Sequence, residues 1–413
     1  MRKCFLTTIT AMILATGSRA EKAVVLESFE SGISAVTLRT NTGGRPLLTP
    51  PGVSLSQRVR ESSGDSTVTE GNKSLQVVLR GRQKYSADFK VTLSESASDQ
   101  IRKAMRSTDE ARYLLRYDVI FPPLRDFAYF NSVLRFGDNR DVLISSGGKR
   151  TMSIALDLLT GLPDKGPLTL EFADDFELKG EFSSVTFYLD NIRLVDSYVD
   201  GAKPVVYVLQ SFENSSAPTG NASAFTEWDG DKPIKRTQFS QYTASSTQDV
   251  RVTEGAHALQ VVNADPAAWH ADFSICFQDT KLAEVLKLDR DPESRPTAEQ
   301  LSRYTLRWDV TFPDMTNEWM NCTYHTMQTF LPVIQVRQDK PMNQRLTYSV
   351  TLDQTEWGNW MEKYPTLVFI TEGPQQSKGT RVYYDNFRLI DTGNVPSAEA
   401  KGTVRASADK PSH

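Results

Sequence analysis

The sequence predicts an all-β chain built from two tandem β-sandwich (jelly-roll) domains, each with one short helical insertion. Three observations predict it. A set of sequence blocks occurs twice in the same order, short alternating or β-branched runs are separated by turn residues, and one helix-like stretch appears per copy. Seven to ten short antiparallel strands per copy close most naturally as a sandwich.

The duplication is explicit. Val24-Val-Leu-Glu-Ser-Phe-Glu-Ser31 returns as Tyr207-Val-Leu-Gln-Ser-Phe-Glu-Asn214, and the run from Val68 to Val78 returns from Val252 to Val262. Tyr85-Ser-Ala-Asp-Phe89 returns as Trp269-His-Ala-Asp-Phe273. Leu115-Arg-Tyr-Asp-Val-Ile-Phe-Pro122 returns as Leu306-Arg-Trp-Asp-Val-Thr-Phe-Pro313, and Tyr188-Leu-Asp-Asn-Ile-Arg-Leu-Val195 as Tyr383-Tyr-Asp-Asn-Phe-Arg-Leu-Ile390. These blocks divide the chain into repeat 1 (21–199) and repeat 2 (200–393). From Glu70 to Asp190 is 120 residues and from Glu254 to Asp385 is 131, the extra length falling largely at Asp289 to Pro296, a loop by composition.

Within repeat 1, strands are expected at Ser74–Leu79, Leu114–Phe121, Met152–Leu158, Leu168–Phe172 and Val185–Leu194. The helical stretches are Asp99–Arg106 and its counterpart Lys281–Leu288. Trp308, on an alternating strand, is expected in the core. The ends differ in character. Arg2-Lys3, an apolar stretch and Ser18-Arg19-Ala20 read as a signal peptide over 1–20, and 394–413 reads as a disordered tail.

Composition narrows function. Lys+Arg 47 against Asp+Glu 51 gives −4, and removing the three basic residues of the leader takes this to −7, without the basic excess of a nucleic-acid binder. Four His and three Cys, well spread, exclude zinc-finger and Cys-rich scaffolds. After export Cys276 and Cys322 remain, either bridged or packed as two thiols. The expectation is a monomer that is secreted, extracellular, at the cell surface or periplasmic, with no nucleic-acid partner and no membrane insertion.

Phe-Glu near the start, Glu-Gly-x-x-x-Leu-x-Val, and a closing Asp-Asn-hydrophobic-Arg-Leu give each repeat a resemblance to jelly-roll carbohydrate-binding modules, closest in style to families 4 and 22. The resemblance implies a polysaccharide or glycan partner and one structural calcium ion per repeat. Carried over, the ligands are the carboxylates of Glu30, Glu70 and Asp190 with carbonyls near Ser28 and Lys73. In repeat 2 they are Glu213, Glu254 and Asp385 with carbonyls near Ser211 and His257. Three carboxylates with carbonyls and water would supply the six to eight oxygens calcium takes. The resemblance also implies sugar stacking on Tyr85 beside Arg82, and on Trp269.

All six tryptophans lie in repeat 2, which makes it the expected site of stronger sugar binding. Trp357 and Trp360, in Glu356-Trp-Gly-Asn-Trp360, are further candidates because a Gly/Asn loop is a poor place for core packing. Two other classes compete. One is a surface or matrix adhesion protein without sugar recognition. The other is a jelly-roll glycoside hydrolase or polysaccharide lyase, for which paired carboxylates are required. Glu171-Phe-Ala-Asp-Asp-Phe-Glu177 comes nearest and reads as a solvated loop, and Tyr324-His325 is the only Tyr-His neighbour.

Overall fold

The computed structural model describes residues 22–38, 53–80, 85–121, 127–137, 139–144, 148–178, 184–198, 204–225, 227–229, 232–234, 237–263, 270–312, 319–326, 330–337, 345–354, 357, 363–372 and 381–393. The leader over 1–20, the tail over 394–413, and Arg82, Trp269 and Trp360 lie outside these residues.

Repeat 1 runs through Lys22–Glu27 (β1), Val36–Leu38 (β2), Val53–Val59 (β3), Lys73–Arg80 (β4), Tyr85–Thr92 (β5), Glu95–Met105 (α1), Tyr113–Phe121 (β6), Phe127–Phe136 (β7), Asn139–Ile144 (β8), Gly148–Ala155 (β9), Thr169–Leu178 (β10) and Ser184–Asp196 (β11). One sheet has the order β3-β4-β11-β6-β9, with β1 added along β11. The other has the order β2-β5-β10-β7-β8. Repeat 2 runs through Val205–Gln210 (β12), Ala222–Ala224 (β13), Glu227–Asp229 (β14), Lys232–Ile234 (β15), Thr237–Thr243 (β16), His257–Asn263 (β17), His270–Cys276 (β18), Lys281–Leu286 (α2), Ala298–Leu301 (α3), Tyr304–Thr311 (β19), Trp319–His325 (β20), Phe330–Arg337 (β21), Arg345–Thr351 (β22), Thr366–Glu372 (β23) and Arg381–Asp391 (β24). Its sheets, β16-β17-β24-β19-β22 with β12 on β24, and β13-β18-β23-β20-β21, reproduce the first pair strand for strand. Every strand pair is antiparallel, so this is an all-β fold of two sandwiches.

Alternation along the strands builds each core. Phe89 of β5 stacks on Phe172 of β10 at 4.7 Å, and the equivalent Phe273 and Phe369 stack at 4.8 Å. Trp308 is buried beside Phe387, as its strand phase requires. Helix α1 covers the end of its sandwich with Ala97, Ile101 and Ala104, and Ser94 caps it by accepting the Ala97 N–H.

Several expectations are corrected. Repeat 1 has eleven described strands and repeat 2 thirteen, more than the seven to ten foreseen, because pieces as short as β2, β13, β14 and β15 carry little periodicity. Repeat 2 has two helices rather than one insertion. The extra one, α3, starts at a capping box in which Thr297 accepts the Gln300 N–H and the Gln300 side chain accepts the Thr297 N–H. The acidic run Glu171–Glu177 is not a loop but part of β10, in the middle of its sheet.

Trp357 is the sharpest correction. It is 7% exposed and belongs to the core of repeat 2, so its indole is a packing element and not a sugar platform. Loop composition predicted solvent, but this side chain packs in the core. Cys276 is a free thiol. Register also keeps it from Cys322: they lie on β18 and β20, two strands apart, opposite Thr366 and Thr371 of the intervening β23. Two strand spacings of about 4.8 Å put their Cα atoms beyond the ~7 Å a disulfide spans.

If Trp357 is core, Trp357→Ala lowers stability in urea denaturation by about 3–5 kcal/mol. A solvent-facing platform would change stability by less than about 0.5 kcal/mol.

Candidate functional site

The recurring acids converge on one place in each sandwich, the turn before β4 or β17 where it meets the bulge in β11 or β24. The pairing of β11 with β6 slips between Asp190 and Arg193, and that of β24 with β19 slips beside Asp385. At the slips Asn191 and Asn386 take φ of +52° and +50°, the left-handed region that asparagine tolerates. This is the physical content of the Asp-Asn pair.

The bulge aims the preceding aspartate at backbone. Asp190 Oδ2 accepts the N–H of Thr69 at 2.6 Å and of Glu70 at 2.9 Å, and Oδ1 accepts the Asn191 N–H at 2.7 Å. Asp385 repeats the pattern with Thr253 at 2.6 Å, Glu254 at 2.9 Å and Asn386 at 2.7 Å. Glu70 and Glu254 therefore enter through their main chains. Beside them lies a second buried aspartate. Asp118 accepts from the Thr151 hydroxyl at 2.7 Å and lies 3.3 Å from both Arg193 and Lys149. Asp309 likewise accepts from Thr347 at 2.7 Å and lies 3.5 Å from Arg388.

Glu30 and Glu213 secure the next turn. Glu30 Oε1 accepts the N–H groups of Asn72 and Lys73 at 2.6 and 2.7 Å, and Glu213 Oε1 those of Ala256 and His257 at 2.9 and 2.7 Å. Gly71 and Gly255 have φ of +60° and +69°, and a Cβ on either would strike the glutamate carboxylate. Phe29 and Phe212, just before these glutamates, both sit at φ +59° with their rings buried. Each carbonyl accepts a glutamine Nε2, Gln57 at 2.5 Å and Gln241 at 2.7 Å. Ser28 and Ser211 lead into this strained step.

This geometry holds the recurring acids together without an ion. Among the described residues no group of three or more His, Cys, Asp or Glu side chains converges as a metal would require. Oε1 of Glu30 and Glu213 and both carboxylate oxygens of Asp190 and Asp385 accept backbone N–H groups. Side chains also reach these glutamates: the Lys73 ammonium donates to the Glu30 carbonyl at 3.0 Å, and His257 Nδ1 lies 3.0 Å from Glu213 Oε2. The implied ligand residues are thus brought together, but as an organic clasp.

Burial sets the electrostatics. Desolvation pushes Asp190 up to about 6 and Asp385 to about 7, against the downward pull of their N–H donors. Burial acts the same way on Asp118, but Arg193, Lys149 and Thr151 outweigh it and hold its carboxyl below the usual range. Glu213 is also lowered, its burial overcome by hydrogen bonds from His257 and Ala256.

The sugar candidates fall elsewhere. Tyr85 opens β5, opposite Phe176 of β10, and shares its phase along the strand with the buried Phe89 and Val91. Trp269 directly precedes β18. On the outward phase of the same sheet, Lys90, Glu171 and Arg135 form a row across β5, β10 and β7, with Lys90 Nζ 2.5 Å from Glu171 Oε1. The corresponding row of repeat 2 is Ser274, Val368 and His325, with Val368 buried. The charged row belongs to repeat 1 alone.

Sequence reasoning missed Arg116 and Arg307, which recur in the Leu-Arg-(Tyr/Trp)-Asp-Val block. Both occupy the outward phase of their strands, yet both are almost fully buried. Their recurrence as arginine was the available signal.

No family model matches the sequence, and no curated protein is significantly similar to it. Among solved structures, the N-terminal CBM22-1–CBM22-2 tandem domain from Paenibacillus barcinonensis Xyn10C aligns over 91% of this chain and 99% of that one, at 11% identity and TM-score 0.25. A Caldicellulosiruptor saccharolyticus CBM27-1 in complex with mannohexaose aligns over 46% and 97%, at 15% identity and TM-score 0.25. An arabinose-bound α-L-arabinofuranosidase aligns over 46% of this chain and 27% of its own, at 12% identity and TM-score 0.30. No described helix is long and apolar enough to cross a membrane.

Two predictions test the clasp. Excess calcium or chelator leaves the melting temperature unchanged; a calcium-dependent rise abolished by Glu213→Gln would restore the metal reading. Asp385 holds its proton more tightly folded than unfolded, so its contribution is complete below about pH 4 and is lost as pH rises through about 7. The stability of wild type relative to Asp385→Asn, measured in urea across that range, therefore falls with rising pH.

Proposed function

We propose that the chain is an exported, non-catalytic polysaccharide-binding protein that acts as a monomer. The reading rests on one observation above others. In both repeats the strand second from the edge of the five-stranded sheet is entered through an aromatic residue, Tyr85 opening β5 and Trp269 immediately before β18. An aromatic ring offers a flat apolar face to the C–H side of a sugar. The outward Lys90, Glu171 and Arg135 row lies on the opposite phase of the same sheet from Tyr85, so the proposed sugar contact is the aromatic at the sheet's end and not that row. The ligand lies against this sheet, near the end where β5 begins.

Two observations favour a second reading, an adhesion or matrix module without a sugar site. Trp357 is core, and Tyr85 shares the phase of Phe89. The same experiment decides between them. Pull-down and calorimetry of the mature protein against plant, algal and animal polysaccharides should show retention on one polymer class. Base–aromatic and cation–aromatic contacts elsewhere are worth about 1–3 kcal/mol. A similar loss, roughly ten- to a hundredfold in affinity, is expected for Tyr85→Ala or Trp269→Ala with the fold intact. No retention on any polymer by the folded protein overturns the glycan reading.

A further inference from the structure

The two repeats meet through equivalent parts. Edge strand β9 packs beside edge strand β22, its counterpart, and edge strand β8 beside its counterpart β21, with Cα atoms within 8 Å. The buried charges are reciprocal. Arg307 of repeat 2 forks onto Asp157 of repeat 1, at 2.7 Å to Oδ2 and 2.8 Å to Oδ1. Arg116, the equivalent arginine of repeat 1, lies 3.4 Å from Asp353 of repeat 2, the equivalent aspartate. Arg307 and Asp157 are 1% and 12% exposed, Arg116 and Asp353 3% and 7%.

Further bonds cross the same seam. Gln354 Nε2 donates to the Ser153 carbonyl at 3.1 Å, the Thr351 hydroxyl lies 3.2 Å from that of Ser153, and Arg116 donates to the Ser302 carbonyl at 3.1 Å. Arg388 reaches Glu110 at 3.0 and 3.2 Å across the same seam.

Equivalent surfaces in mutual contact define a two-fold relation, as in an isologous dimer. Its axis is constrained. The six-stranded sheet of repeat 1 meets the six-stranded sheet of repeat 2, and five-stranded meets five-stranded, so the axis runs through the seam from one layer to the other. A half-turn about such an axis keeps both five-stranded sheets on the same side of the seam and reverses every direction lying along them.

Buried charge pairs fix register more than they add affinity, because desolvation offsets much of their attraction. Here the short connection at 200–203 keeps the halves at high local concentration, and four charged side chains select one docking. The seam also covers one edge of each sheet, β8 with β21 and β9 with β22.

We infer that the repeats form one locked two-fold pair which presents its two equivalent sheets to a directional polymer in opposite senses, so that no single straight chain is shared between them. A polysaccharide has a reducing and a non-reducing end. A chain seated in the forward sense on one sheet would cross the seam and meet the other backwards. Two antiparallel segments, one per repeat, are accommodated instead. This inference rests on the glycan reading for its ligand, but not for its seam.

The experiment has two arms. First, a protease site placed at 200–203 in the full chain is cleaved after folding. The halves should remain together in size-exclusion chromatography at physiological salt and separate in the Arg116→Leu/Arg307→Leu variant. Separation of the wild-type halves would overturn the lock. Second, calorimetry uses β-1,4-xylo-, β-1,4-manno- and mixed-linkage β-gluco-oligosaccharides of rising length. Affinity should plateau once one repeat is filled, with one or two oligomers bound per chain. A further gain of ~10²–10⁴-fold with longer oligomers, at one per chain, is the signature of a shared chain and would overturn the inference while leaving the glycan reading intact. No binding at any length, with the halves still associated, would overturn the glycan reading and its directional consequence but not the lock.

Discussion

A buried carboxylate that accepts backbone N–H groups is the constraint on which each sandwich depends. Asp190 and Asp385 sit in the last long strand of their repeats, and their N–H donors lie 120 and 131 residues earlier in the chain. Each joins the turn at the start of the sandwich to the strand that completes it. The donors are main-chain groups left over by a turn, and leaving several of them unmet in the interior would cost about 1–3 kcal/mol each. The left-handed asparagine that follows is what turns the carboxylate toward them. The bulge, the Asp-Asn pair and the conformation of the Glu-Gly turn are therefore one arrangement, and a change in any part displaces the rest.

The same arrangement gives the recurring acids a role that needs no metal ion. Glu30, Asp190 and their counterparts recur because the same backbone turn recurs, and a carboxylate is equally suited to an N–H group and to calcium. Sequence carries the residue type but not which acceptor face is already taken. The first position of β4 and β17 is also informative: Lys73 in one repeat and His257 in the other bring nitrogen donors to the same turn.

Most of the fold was legible because its signals are local. Ser74–Leu79, Leu114–Phe121 and Val185–Leu194 alternate over enough residues to fix both strand and face, and β4, β6 and β11 follow them to within a few residues. Trp308 fell in the core for that reason. Where periodicity gives out, inference did too. Trp357 stands in a Gly/Asn-rich segment whose composition speaks of turns, and turn composition does not reveal which side of the chain faces inward. Helix α3 is written in the Thr297–Gln300 capping box, but at four residues it is too short to show periodicity beside the Pro- and charge-rich loop that precedes it. The candidate sugar residues were legible only as residue types, since Tyr85 gains its meaning from which face of β5 it occupies.

The arginines of the seam show the limit from the other side. Arg116 and Arg307 alternate with Leu115 and Tyr117, Leu306 and Trp308, so strand phase assigns them to solvent. That assignment is right for one sandwich in isolation and wrong for two. The outward face of β6 and of β19 is where the other repeat arrives, and its aspartate, Asp353 or Asp157, closes over the guanidinium. A duplicated domain can evolve such a contact economically, because a single arginine and a single aspartate per copy generate both pairs at once. The requirement is that equivalent surfaces face each other, and that requirement is itself the two-fold relation. Duplication and docking thus constrain one another: the sequence repeat supplies two matching halves of a contact, and the symmetry of that contact reverses whatever direction each half reads.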